Sequence, residues 1–160
     1  MWNSDIPIRL GKQIAETVID GILVVNEQGD VIWCNDALVS MGGYQRSRMK
    51  SLNLMDLIVC SQIQGIGDLY RQDSFHQIEC RMRTASGEFL AVLRSGKKFE
   101  VDQSRGLILA LTDISKLIET KHQLDQLRKH HSGVQSDHHL KFFAWSRDEK
   151  PSNAKEVPRK

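Results

Sequence analysis

Residues 75–84 alternate strictly, and that alternation constrains the fold more than any other stretch. Phe75, Gln77, Glu79, Arg81 and Arg83 fall on one face, and His76, Ile78, Cys80 and Met82 on the other. A period of two with one polar face specifies a half-buried strand of an antiparallel sheet, because successive side chains leave a pleated backbone on opposite sides. Ala85-Ser86-Gly87 supplies a hairpin turn, and Phe89–Ser95 returns as the next strand. Lys97–Gln103 is less regular and extends that strand. The apolar run Gly106–Thr112 reads as a strand buried at the centre of the sheet.

An earlier hairpin precedes this group. Ile22–Val25 is β-branched and apolar, Glu27-Gln28-Gly29-Asp30 turns, and Val31–Cys34 returns. Short helical pieces lie between the two groups of strands. Asp36–Met41 follows a cap at Asn35 or Asp36 and stops at Gly42-Gly43. Further pieces are read at Ser47–Lys50, Asn53–Val59 and Gln62–Tyr70, the last weakened by Gly65 and Gly67. A helix over 12–20 opens the domain, with Ile14 and Val18 on one face and Gly21 as the stop. Another starts at Ser115, read as its N-cap, and ends at Ser132-Gly133. Helices set between two groups of antiparallel strands give an α+β fold. The organisation read from this pass is an N-terminal segment 1–11, a domain over 12–113, a helix over 114–131 and a disordered tail over 132–160.

Charge narrows the choice of partner. The net charge is +2, and the tail 132–160, with six Lys/Arg and four Asp/Glu, carries all of it. The folded part is neutral, with no basic field for a phosphate backbone, and no helix-turn-helix is evident. Direct nucleic-acid binding is therefore disfavoured. Cys34, Cys60 and Cys80 form no CxxC pair and are odd in number, so they read as small apolar side chains in a reducing, cytoplasmic setting. The start of the chain lacks the pattern of a signal peptide, and no apolar run approaches the ~20 residues of a membrane helix.

The ordered motifs carry a family resemblance. They are Gly21–Asn26, Gly29-Asp30, Asn35-Asp36-Ala37-Leu38, Gly43-Tyr44, Asn53–Ile58, Glu79–Arg83 with the Gly87 turn, and the closing Asp113-Ile114-Ser115. Together they make residues 12–131 resemble the PAS family of sensory and dimerisation modules. The resemblance implies a five-stranded antiparallel sheet with short helices over one face and a C-terminal signalling helix. It implies a cavity between sheet and helices that holds haem, flavin, an organic acid or nothing. It also implies that Asp113, Ile114 and Ser115 pass strain from the sheet to the helix. The residue types suit that role, as a carboxylate acceptor, an apolar anchor and a hydroxyl cap.

Strand parity makes His76, Ile78, Cys80 and Met82 candidates for the cavity, joined by Val25, Trp33 and Leu57. The cofactor stays open. In the light-oxygen-voltage branch the reactive cysteine stands in an Asn-Cys-Arg motif, and here that place holds Asn53-Leu54-Met55. A cysteinyl–flavin adduct is therefore disfavoured. Residues 54–74 contain no His to ligate haem. His130-His131 and His138-His139 lack metal-ligand spacing, and His122 lacks the surroundings of a phospho-acceptor. Catalysis is not indicated.

Leu117, Ile118, Leu124 and Leu127, with Ile114, form an apolar stripe on the last helix. It reads as half of a homodimer seam, because Lys121 within it is tolerated in coiled coils and awkward in a core. The expected function is a non-catalytic sensor that binds a small ligand or a signalling partner. Relatives act upstream of kinases, cyclases and transcriptional regulators. The alternatives are a ligand-free protein-interaction module and an accessory transcriptional regulator.

Overall fold

The computed structural model describes residues 5–132. In chain order the elements are α1 (Asp5–Thr17), β1 (Gly21–Asn26), β2 (Val31–Cys34), α2 (Asp36–Gly42), α3 (Arg46–Met49), α4 (Leu54–Leu57), β3 (Ile58–Val59), α5 (Ile66–Leu69), β4 (Ser74–Arg83), β5 (Phe89–Val101), β6 (Ser104–Asp113) and α6 (Ser115–Ser132). The strands form one antiparallel sheet in the order β2-β1-β6-β5-β4-β3. The body of the domain ends within α6, at His122, and the part from Gln123 onward is a separate unit. The tail expected to be disordered lies, from residue 133, outside the described residues.

Alternation along the strands builds the core. Leu23 and Val25 of β1, Leu107, Leu109 and Leu111 of β6, Val92 of β5, and Cys80 and Met82 of β4 are buried on one face. Leu38, Met49, Leu54, Leu57 and Leu69 from the helical segment complete the same cluster. Each such side chain contributes roughly 1.5–3 kcal/mol by leaving water. The apolar stretch in β6 is buried because it lies between β1 and β5.

Two buried or half-buried amides tie the helices to the sheet. Asn35 is fully buried and uses its whole hydrogen-bonding capacity. Its Oδ1 accepts from the N–H groups of Ile22 (2.9 Å) and Leu38 (3.0 Å). Its Nδ2 donates to the carbonyls of Ala15 (2.8 Å) and Asp20 (3.0 Å). One side chain therefore caps α2, holds β1 and fixes the exit of α1. Asn53 plays a matching part for α4. Its Oδ1 accepts from Met55 N–H, its Nδ2 donates to Gln28 O, and Asp56 reaches back to the Asn53 N–H as a capping box.

Four sequence readings are corrected. The first helix is Asp5–Thr17 rather than 12–20, because the Ala15 carbonyl goes to Asn35 and Thr17 Oγ1 bonds Ile14 O. The stretch read as helical to Val59 leaves the helix at Ile58, where the β-branched pair Ile58-Val59 joins the edge of β4 as a sixth strand. Ser115 is not the cap of α6; the Asp113 carboxylate accepts the Ser115 N–H at 2.9 Å. The alternation of β4 is interrupted: Phe75 pairs with Gly96 and Ile78 with Arg94, so β4 carries one residue more than its partner. This bulge lies at His76-Gln77, with Gln77 at φ 50 and its N–H bonded to Ser95 Oγ at 2.9 Å.

Asn35→Ala leaves two carbonyls and two N–H groups without their partner. It is expected to cost about 3 kcal/mol of unfolding free energy, at the scale set by buried unsatisfied groups and a lost N-cap. Urea titration followed by circular dichroism measures this, and a midpoint equal to wild type contradicts the hub.

Candidate functional site: a closed cleft under the helices and the hinge to the last helix

A cleft between the helical segment and the sheet is lined by Leu54, Met55, Ile58, Ile63, Leu69 and Arg94. It is closed, with no volume that a water molecule could occupy. Five walls are apolar and the sixth is a guanidinium. Arg94 is only 3% exposed, and its Nε and Nη1 are buried with no hydrogen-bond partner. Its guanidinium carbon lies 4.6 Å from the centroid of the Phe75 ring, a cation–π contact. The tip of the Phe75 ring in turn sits against Gly96, where there is no room for a Cβ. Burial pulls the Arg94 pKa down, partly offset by the thiols of Cys80 and Cys60.

The sequence candidates distribute differently from expectation. Val25, Leu57, Cys80 and Met82 are buried and Ile78 is half-buried, all within or against the core cluster. His76 is exposed, because the bulge turns it outward and brings Phe75 in. Trp33 pairs with Val24, and Leu23 and Val25 on either side of Val24 are the inward residues, so Trp33 lies on the opposite face of the sheet. None of these seven lines the closed cleft. Arg94 was missed, although a signal existed: the alternation Leu90, Val92, Arg94 places an arginine at an inward position.

A second, open cleft of about 570 Å³ lies over β5 and β6. Two ion pairs lie in its lining, Lys98 with Asp73 at 3.2 Å and Arg105 with Glu100 at 3.1 Å. Among the described residues there is no group of three metal-ligating side chains, and no helix is long and apolar enough to cross a membrane.

The other notable geometry is the start of α6. Ile114 is buried, its N–H donates to Ala91 O of β5 at 2.9 Å, and its carbonyl accepts from Ile118 N–H at 3.0 Å. With Asp113 capping Ser115, the first turn of α6 is fastened to the end of the sheet. Further along, Leu117, Leu124 and Leu127 are 66%, 52% and 58% exposed, and Ile118 is half-buried.

The PAS domain family profile matches residues 19–116, which is most of the folded chain. The chain belongs to the PAS domain family. Solved structures agree in fold. A PAS domain from a two-component sensor histidine kinase superposes with a TM-score of 0.62 at 18% identity, covering 69% of this chain and 99% of that one. A domain of a sensory box sensor histidine kinase/response regulator from Geobacter sulfurreducens gives 0.56 at 22% identity, covering 68% and 96%. An RNA-binding light-oxygen-voltage receptor gives 0.63 at 14% identity, covering 81% of this chain and 39% of that one. No curated protein matches the sequence. The PAS assignment confirms the expected α+β architecture with its C-terminal helix, and the two-residue β3 brings the sheet to six strands. The chain is thus a sensory or signalling module by family.

The cysteines of this PAS domain are packing residues. Cys34 and Cys80 are buried and Cys60 is half-buried. Burial pushes the Cys34 thiol up and the Cys80 thiol up to about 12. Ellman's reagent at about pH 8 is expected to titrate Cys60 alone in the native protein, because a buried neutral thiol is not a nucleophile. Burial favours the protonated Cys80, so stability should hold below its ordinary 9.0 and fall as the pH climbs toward about 12. Fast labelling of Cys80 in folded protein contradicts this.

Proposed function

We propose that this PAS domain is a non-catalytic sensor whose occupancy or partner state is relayed through Asp113, Ile114 and Ser115 into α6, and that α6 pairs with its copy in a homodimer. The observation that carries this reading is the anchoring of Ile114. Its N–H bond to Ala91 places the root of α6 on β5, three residues from Arg94 in the closed cleft. A displacement of β5 at the cleft therefore reaches the first turn of α6 through a single strand. The exposed Leu117, Leu124 and Leu127 supply the surface that such a helix would bury against a copy.

Population shift is the mechanism. A ligand or partner with unequal affinity for two arrangements of β5 biases α6 by that difference and by no more. The output is a kinase, cyclase or transcription partner acting in trans or elsewhere in the same polypeptide.

A second reading has its own support. The cleft holds no room for water, which favours a filled, ligand-free PAS module that works by protein contact alone. The pairing of α6 is common to both readings.

Light scattering coupled to size exclusion tests the pairing. The wild-type chain is expected to elute with a dimer's mass, and Leu124→Glu combined with Leu127→Glu with a monomer's mass and unchanged sheet circular dichroism. Paired seam positions that receive like charges repel and lose their buried area. A wild-type monomer at high micromolar concentration defeats the seam.

A further inference from the structure

Among the described residues, Arg94 is a charged side chain buried by the fold with two of its nitrogens unpartnered. Charged side chains enter protein interiors in company: a carboxylate, a metal or a set of carbonyls offsets the lost hydration. Among the described residues no carboxylate pairs with Arg94, and its Nε and Nη1 donate to nothing. The ionisable side chains that act on it are the thiols of Cys80 and Cys60, and burial keeps Cys80 protonated at physiological pH. Phe75 covers the guanidinium plane at 4.6 Å. A ring face attracts a cation and offers no acceptor in the plane where the N–H groups point. Two nitrogens of a charged group that lines an apolar cleft are therefore buried with their hydrogen bonds unmade.

We infer that the cleft binds a small organic monoanion, a carboxylate with a short apolar body, whose oxygens accept hydrogen bonds from the Arg94 guanidinium. This rests on the ligand-sensing reading above and names the class of its ligand. The wall composition sets the class. One cation matches one negative charge, and a dicarboxylate would set its second charge against Leu54, Ile63 or Leu69. An inorganic anion would satisfy Arg94 but cover none of the five apolar walls. A guanidinium suits a carboxylate because both are planar and the pair is charge-assisted.

Entry requires movement, since the cleft is closed. Ile63 and Leu69 belong to the stretch between β3 and β4, whose only helix is the four-residue α5. That stretch is fastened to β1 by the Tyr70 hydroxyl on Asn26 O at 3.2 Å, to β4 by the Cys60 thiol on Glu79 O, and to β5 by the Lys98 N–H on Asp73 O at 3.0 Å. Lifting its middle, between the holds at Cys60 and Asp73, would uncover Arg94 and leave the β4–β5–β6 ladder in place. Ligand binding then exchanges an unpaired buried cation for a paired one, and the differential affinity for the lifted state drives the shift.

Calorimetric titration of the full chain with sodium hexanoate and with 1-hexanol tests the inference, since the two probes share a body and differ in charge. Wild type is expected to bind hexanoate about tenfold to a hundredfold more tightly than hexanol, the range a charge-assisted hydrogen bond supplies. Arg94→Met should lose that preference while remaining folded, because it replaces an unpaired buried cation by an apolar chain of similar length. Arg94→Lys, which keeps the charge, should retain a preference for hexanoate. The inference is overturned if wild type binds hexanoate no better than hexanol, if it binds neither, or if Arg94→Met binds hexanoate as tightly as wild type. Hydrogen exchange at the Ile114 and Ile118 amides separates this outcome from that of the relay. Hexanoate bound through Arg94 with unchanged exchange supports the anion site and defeats the relay. Hexanol bound as tightly as hexanoate with altered exchange supports the relay and overturns the anion site.

Discussion

Asn35 holds the domain's parts in one arrangement. Its amide is fully buried and meets the end of α1, the first residues of β1 and the first turn of α2, with two donated and two accepted bonds. A carboxamide is suited to this place because it offers donors and an acceptor on one short stem. Aspartate lacks the donors, and serine lacks the reach. The backbone N–H of Asn35 also bonds Ile22 O, so the residue belongs to the sheet and to the cap at once. Where α2 begins, the position of the whole helical segment over the inner face follows, and with it the cleft.

The second constraint is the bulge in β4. An uninterrupted strand would have turned His76 inward and Phe75 out. One extra residue at His76-Gln77 reverses that order, and the left-handed Gln77 is held by the Ser95 hydroxyl. Phe75 then falls over Gly96, the position in β5 with no side chain to displace it, and its ring covers Arg94. Bulge, glycine, aromatic ring and arginine form one connected device. Its effect is to shield a guanidinium without neutralising it.

The strands β1, β2, β5 and β6, the helix α2 with a cap at Asn35 or Asp36, and the Gly87 hairpin are legible in the chain, because each is written by a local period or a local turn; the structure selects Asn35 as the cap. Asp113, Ile114 and Ser115 are legible too, although the capping group is the carboxylate of Asp113 and not the hydroxyl of Ser115. The candidate site was less legible. Parity reasoning recovered Ile78, Cys80 and Met82 as inward residues and failed at His76, where a bulge breaks the period. Trp33, a candidate added without a parity argument, lies on the opposite face, because which face of an edge strand meets the helices is settled by its neighbour β1. Arg94 escaped notice because a charge in an apolar position reads first as an exception to a strand pattern.

The sequence by itself determined the secondary-structure order, the α+β class and the family resemblance, since these rest on periodicities and capping residues within a few positions of one another. Only the tertiary structure decided which side chains share the cleft, that the helical segment closes over it, and that Arg94 is buried there with no carboxylate paired to it among the described residues. Those outcomes depend on residues far apart in the chain being brought together, as Leu54 and Arg94 are around the cleft and Ile114 and Ala91 by a hydrogen bond, and on a bulge whose one-residue slip no local pattern announces.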